Sequence, residues 1–201
     1  FEVLQYMLPE HVLGPLLKDP DAVIAENASC VSILFIMIAD FQVHASSMTP
    51  RELLEFLNRH FTRIDTICCE HRVTKIETIG EEYVAAVGVV PADVKVNREQ
   101  GHRVLLGRLL QMANTVLRSE GVNGVEFKMG IHTGPIVAGV IGQKLPRFRL
   151  FGDTINTAAR MMQKGVVGRC QFGEETRQHL PGDFRAEFRA ELEMKGKGLM
   201  N

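Results

Sequence analysis

The stretch Phe151-Gly-Asp-Thr-Ile-Asn-Thr-Ala-Ala-Arg160 holds residue types that could act together on an anion. Asn156 and Arg160 are four positions apart, so a helix sets an amide and a guanidinium on one face, one turn apart. Gly152 interrupts the strand-like run before them. Asp153 or Thr154 is expected to cap the helix start, because a short side-chain oxygen there accepts an unpaired backbone N–H. Such a pair near a helix N-terminus suits an anionic oxygen. Taken alone, the same pattern also describes a surface asparagine beside a surface arginine.

The elements that must position these residues follow from pattern. Residues 1–18 carry apolar positions at Leu4, Met7, Leu8, Val12, Leu13, Leu16 and Leu17, close to helical period. The chain begins in mid-pattern at Phe1, and a piece of a longer protein is expected. Residues 19–29 read as a polar loop. Val31 to Ala39 is apolar on both faces and β-rich, the mark of a central buried strand. Thr49 caps a helix from Pro50 to about His71. Val73 to Ile79 and Glu82 to Val89 form two strands about a tight turn at Gly80-Glu81. Residues 91–100 read as a loop, and a second long helix covers about Gly101 to Ser119.

Val125 to Ile131 alternates as a half-buried strand. Pro135 to Gly142 is a further strand whose glycines suit close backbone approach. Residues 143–149 are a basic excursion. The Asn156–Arg160 helix runs to about Gln163. Arg169 to Phe172 reads as a strand, Glu174 to His179 as a helix, and Phe184 to Met194 as an alternating strand. A Lys195-Gly-Lys-Gly198 turn follows, with the return strand expected to be cut short at Asn201. The order implies an α+β fold: a ferredoxin-like antiparallel sheet covered on one face by helices, with a small C-terminal subdomain. Residues 1–29 form a linker helix and entry loop, and residues 30–201 the main domain.

Composition sets bounds. A chain of 201 residues suits one domain with a sizeable core. A net charge of −1 argues against a nucleic-acid partner, which selects a basic surplus. The longest apolar run, Ile33 to Ala39, is strand length, far short of the ~20 residues that cross a bilayer. Cys30, Cys68, Cys69 and Cys170 show no CxxC spacing, so free thiols in a reducing compartment are expected. The seven histidines form no HxxxH pair, and no zinc site is expected.

Read together, the sequence resembles the catalytic domain of the class III nucleotidyl cyclases. The matching stretches are Val31-Ser-Ile-Leu-Phe35, Met48-Thr-Pro-Arg-Glu-Leu-Leu-Glu-Phe-Leu-Asn58, Lys75-Ile-Glu-Thr-Ile-Gly80, Gly130-Ile-His-Thr-Gly-Pro-Ile-Val-Ala-Gly-Val-Ile-Gly142, Phe151 to Arg160, and Met194-Lys-Gly-Lys-Gly198. They occur in family order over nearly the whole chain. Leu8-Pro-Glu-His-Val12 is similar to the family's linker helix. The resemblance implies attack of a ribose 3′-oxygen on the α-phosphate, with release of pyrophosphate. Two divalent metals, held by two aspartates, clamp the nucleophile and leaving oxygens. Sites form between two such domains placed head to tail.

The resemblance assigns roles by position. Asn156 would orient the ribose, and Arg160 would meet charge developing on the phosphate. Lys195 or Lys197 would reach the terminal phosphates. Glu77 falls where the family reads the purine, and a carboxylate there accepts from guanine's N1–H and exocyclic amine, whereas a lysine would suit adenine. Arg149 holds the second base position, usually Cys in guanylate and Asp in adenylate cyclases. It can donate to guanine O6 and N7 or face a phosphate. The metal half departs from the family. Met37 replaces the first metal aspartate, and a thioether does not hold Mg²⁺. Asp40-Phe41-Gln42 replaces the glycine-containing turn, and Asp40 has the wrong strand parity to stand in. Glu81 replaces the second aspartate.

The expectation is therefore a guanylate cyclase half-domain. It would turn GTP into cyclic GMP only with a complementary domain, in trans or in the same polypeptide, that holds the Mg²⁺ or Mn²⁺. The alternatives are a non-catalytic pseudo-cyclase module that dimerises and regulates, and an ATP-specific half. Residues 143–149 resemble the family's dimer arm, and a homodimer of the isolated chain is expected to lack a complete metal site. A cytosolic domain, of a soluble or membrane-anchored parent, fits the resemblance.

Overall fold

The computed structural model describes residues 8–19, 22–120, 124–142, 146–194 and 198–200. Its spine is β1 (Ala25–Ile38). Successive side chains leave a strand on opposite faces. Leu34, Ile36 and Ile38 enter one apolar cluster, while Ile33, Phe35 and Met37 meet another. A strand that is apolar on both faces must be covered on both, and it is.

On the first face lie α3 (Pro50–Glu70), through Ile64, Ile67 and Cys68, and α5 (His102–Glu120), through Leu105, Leu109 and Met112. On the second lie α1 (Glu10–Lys18), through Val12 and Leu13, and α6 (Asp153–Gln163), through Ala158 and Met162. The expected single helical layer is thus corrected to two, for the reason already written into β1.

The strands β2 (Thr74–Ile79), β3 (Glu82–Val87), β4 (Phe127–Ile141) and β5 (Arg147–Phe151) complete a sheet in the order β2-β3-β1-β4-β5, all neighbours antiparallel. A short strand, β6 (Cys170–Phe172), adds to β4 in parallel. The first four strands with α3 and α5 are the ferredoxin-like core that the sequence implied.

Four boundaries differ from the sequence reading. β1 starts at Ala25, inside the expected loop, because residues 25–28 pair with β4 beyond a register shift. The two strands expected at 125–142 are one. Pro135 sits within that register shift, between the Val31–Gly134 and Ala28–Ile136 pairs, so its missing N–H costs the ladder nothing. Residues 91–100 are not loop but helix α4 (Pro91–Gln100), with Pro91 in its first turn. Asp93 pins that helix: buried, it accepts from the Gly88 N–H at 2.9 Å and meets Arg108 at 3.4 Å.

The fourth difference is at the C-terminal end. After a short helix, α7 (Glu174–Arg177), residues 178–191 form neither helix nor strand. Among the described residues no strand pairs with the alternating pattern from Phe184, and Phe188 is 75% exposed. Only β7 (Leu192–Met194) forms, and β8 (Gly198–Met200) is its return strand.

The capping of α3 is as read. The Thr49 N–H donates to Glu52 Oε2 at 2.7 Å, and the Glu52 N–H donates back to Thr49 Oγ1 at 3.3 Å. A buried polar seam also ties the layers together. Ser32 Oγ lies 2.7 Å from His102 Nε2 and 2.7 Å from Thr133 Oγ1, which donates to Thr176 Oγ1 at 3.1 Å. Burial, with a smaller contribution from His179, pushes His102 down to about 4, so the seam is neutral near pH 7.

Candidate active site

The register of β1 and β3 decides which residues share its C-terminal end. Met37 pairs with Glu82 on β3 and with Lys128 on β4. The Ile38 N–H reaches the Glu81 carbonyl at 3.5 Å, which lays the Gly80-Glu81 turn alongside Met37. The fold thus brings together the two positions where a metal-binding pair is expected. What stands there is a half-buried thioether and one glutamate. Met37 packs against the second apolar cluster with Phe35 and Val84.

Glu82, which the sequence reading did not single out, completes this corner. Burial, and then the charge of Glu81, holds its carboxyl above the usual carboxylate range. Its only signal in the sequence was its place beside Glu81. Asp40 lies past the strand in a left-handed conformation (φ 50°), exposed, with its carbonyl capping a short helix, α2 (Phe41–Ser46). Its side chain caps nothing. Among the described residues, no group of three or more His, Cys, Asp or Glu side chains is placed to hold a metal ion. A hard cation needs oxygen ligands, and Met37 supplies none; this donor set does not fit Mg²⁺ or Mn²⁺.

The other expected site residues, Asn156 and Arg160, sit on α6. Gly152 (φ 125°) is the residue before the helix, a conformation that L side chains rarely adopt. This corrects the expectation that Asp153 or Thr154 is the cap: the N-cap residue is Gly152, which has no side chain to accept the bond. Thr154 is instead an anchor, its hydroxyl donating to the Pro135 carbonyl of β4 at 2.7 Å. Thr154, Thr157, Ala158, Met161 and Met162 form the buried face of α6. That leaves Asn156 exposed and Arg160 half-buried one turn further on, on the same flank. The Asn156 amide donates to the Gly152 carbonyl at 3.4 Å. Among the described residues Arg160 has no acidic partner. A guanidinium held in this way by its helix is open to an outside anion.

The third feature was not foreseen. β2 and β5 stand at opposite ends of the strand order, yet the sheet closes enough for them to touch. There Arg149 Nη2 lies 3.2 Å from Glu77 Oε2. A bulge between Lys75 and Glu77 places Glu77 opposite Val84, on the second cluster's face, where its side chain is 17% exposed. Both residues expected to read a base are present and brought together, each holding the other. Lys195 and Lys197 lie outside the described residues.

Residues 23–201 match the family described as the adenylate and guanylate cyclase catalytic domain, and the chain belongs to that family. It is 38% identical over 200 residues to guanylate cyclase 32E of Drosophila melanogaster, covering 98% of this chain and 17% of that protein. It is 35% identical over 201 residues to guanylate cyclase soluble subunit beta-2 of Rattus norvegicus, covering 99% of this chain and 29% of that protein. The chain therefore spans less than a third of the length of these relatives. Among solved structures it superposes on the guanylate cyclase domain of RhGC from Catenaria anguillulae, in complex with GTP, with a TM-score of 0.77 and 27% identity over 87% of this chain and 94% of that one. The α+β architecture is that of class III cyclase catalytic domains.

Proposed function

We propose that this chain is the base-reading and transition-state half of a guanylate cyclase, active only beside a complementary domain that supplies the metal aspartates. One observation carries the reading. The corner where a metal pair belongs holds Met37 beside the Glu81 turn, while α6 presents Asn156 exposed and Arg160 with no acidic partner among the described residues. The halves of the chemistry are thus unequal in this one chain, as they would be if a second chain supplied the rest.

In the assembled site Asn156 orients the ribose so that its 3′-oxygen faces the α-phosphorus. Arg160 meets the charge that grows on the phosphoryl oxygens as the new P–O bond forms and the bond to pyrophosphate breaks. Glu77 accepts from guanine, and Arg149 stands beside it at the second base position. One of Lys195 and Lys197 meets the terminal phosphates. Mg²⁺ or Mn²⁺, when bound, supplies charge neutralisation at the reacting oxygens and is held by the partner domain.

The β4–β5 hairpin offers a surface for that partner. Val137, Ile141 and Phe151 are exposed on it and lie on one face, Val137 directly across from Phe151 and Ile141 across from Arg147. The same face supports self-association of the isolated chain. The domain is read as cytosolic, in a soluble or membrane-anchored parent, and its four unpaired thiols favour a reducing compartment.

The substrate choice rests on Glu77. In the assembled pair, Glu77→Lys is expected to lower the preference for GTP over ATP by about tenfold or more, since an ammonium cannot accept guanine's donors. The ratio of kcat/KM for the two nucleotides measures it. An unchanged ratio would remove Glu77 from base recognition and favour the ATP-specific reading.

A further inference from the structure

We infer that Arg149 acts as an internal competitor for Glu77, closing the base position of the chain until a purine displaces it. The inference rests on the reading of Glu77 as the base-binding carboxylate. It starts from the 3.2 Å contact between Glu77 Oε2 and Arg149 Nη2, made between the two ends of the strand order. Glu77 is tightly placed: its side chain is 17% exposed, beyond the β2 bulge and against the face that buries Val84. A carboxylate so far removed from water needs an opposing charge. In the chain by itself, the Arg149 guanidinium supplies it.

The two partners are not equally fixed. Arg149 is 41% exposed, sits on a strand that pairs with β4 along one side, and meets the carboxylate at 3.2 Å. It can swing out, and its charge then returns to water. Guanine replaces what Glu77 loses, because N1–H and the exocyclic amine both donate to a carboxylate. Adenine offers one exocyclic donor beside an N1 acceptor, which faces the carboxylate unfavourably. Opening the pair costs the same for either purine, so the lock lowers both affinities alike, and the difference between guanine and adenine is the one that Glu77 makes.

An ion pair with one partner 41% exposed is weak, so the lock lowers purine affinity by about two- to fivefold. The test is GTP binding to the intact chain by calorimetry in metal-free buffer, for wild type, Arg149→Ala, Glu77→Gln and the double variant. Removing one positive charge weakens a polyanion in both backgrounds alike, so the readout is the difference between them. Arg149→Ala should tighten GTP at least about twofold in the wild-type background, relative to its effect in the Glu77→Gln background. An equal effect in both backgrounds overturns the lock. So does the opposite sign, which would make Arg149 a direct reader acting with Glu77. Absence of GTP binding in all four proteins overturns it too. A positive difference with no cyclic GMP from the assembled pair would keep the lock and refute only the enzymatic reading. Cyclic GMP without the difference would do the reverse.

Discussion

Arg160→Ala is expected to lower the turnover of the assembled pair by about 10²–10³-fold, the usual loss when one donor to developing charge is removed. The effect should fall on kcat with GTP, since the guanidinium is most needed when charge moves onto the phosphoryl oxygens. The fold should not notice. Arg160 is half-buried, lies outside the buried face of α6, and has no acidic partner among the described residues. Its loss strands no carboxylate. Steady-state kinetics on the pair, with a denaturation curve for the variant chain, separates the two effects. Retained turnover in a folded variant would remove Arg160 from the chemistry.

Gly130→Ala is expected to be the most damaging alanine substitution among the described glycines. Gly130 lies mid-β4, paired with Phe35 on one side and Gln171 on the other. A Cβ at this position would overlap the backbone of Met161 and Met162 in α6. Backbone cannot swing aside as a side-chain tip can. The helix must lift off the sheet, at a cost of about 3 kcal/mol or more. Since α6 carries Asn156 and Arg160, the pair should also lose activity at temperatures where the variant is still folded. Urea unfolding measures the first effect. A loss below about 1 kcal/mol would show that α6 does not rest on Gly130 as described.

These two residues also show what sequence can carry. β1 was legible because its apolar residues run without alternation, which demands cover on both sides. α6 was legible because Gly152 breaks the strand before it and Asn156 and Arg160 fall at helical spacing. Close backbone approach was read from the glycines of residues 135–142, one of which, Gly139, does face the Ile24 carbonyl, whereas Gly130 was not singled out. The helix at Pro91–Gln100 was hidden. Its stretch is polar, and what fixes it is the buried Asp93 meeting the Gly88 N–H, a contact that no periodicity announces.

Residues 184–191 misled in the other direction. Alternation describes a strand only where another strand is there to pair, and Phe188 stays in solvent. At the candidate site, residue types were readable and their mutual contacts were not. Met37 announces a missing ligand by its chemistry alone. That Glu77 and Arg149 hold each other depends on how the two ends of the sheet meet, which lies far outside any local pattern.

The claim that two domains divide the chemistry is tested most directly by cyclic nucleotide formation. GTP and ATP would each be supplied, with Mg²⁺ or Mn²⁺, to the chain alone and to the chain mixed with a cyclase domain that bears both metal aspartates and is shown to bind it. Silence alone and cyclic GMP on mixing is the predicted result. Turnover by the chain alone would contradict it, because Glu81, Glu82 or Asp40 would then be holding metal without a partner. Silence in the bound mixture would contradict it as well, and leave a domain that pairs and regulates without catalysing.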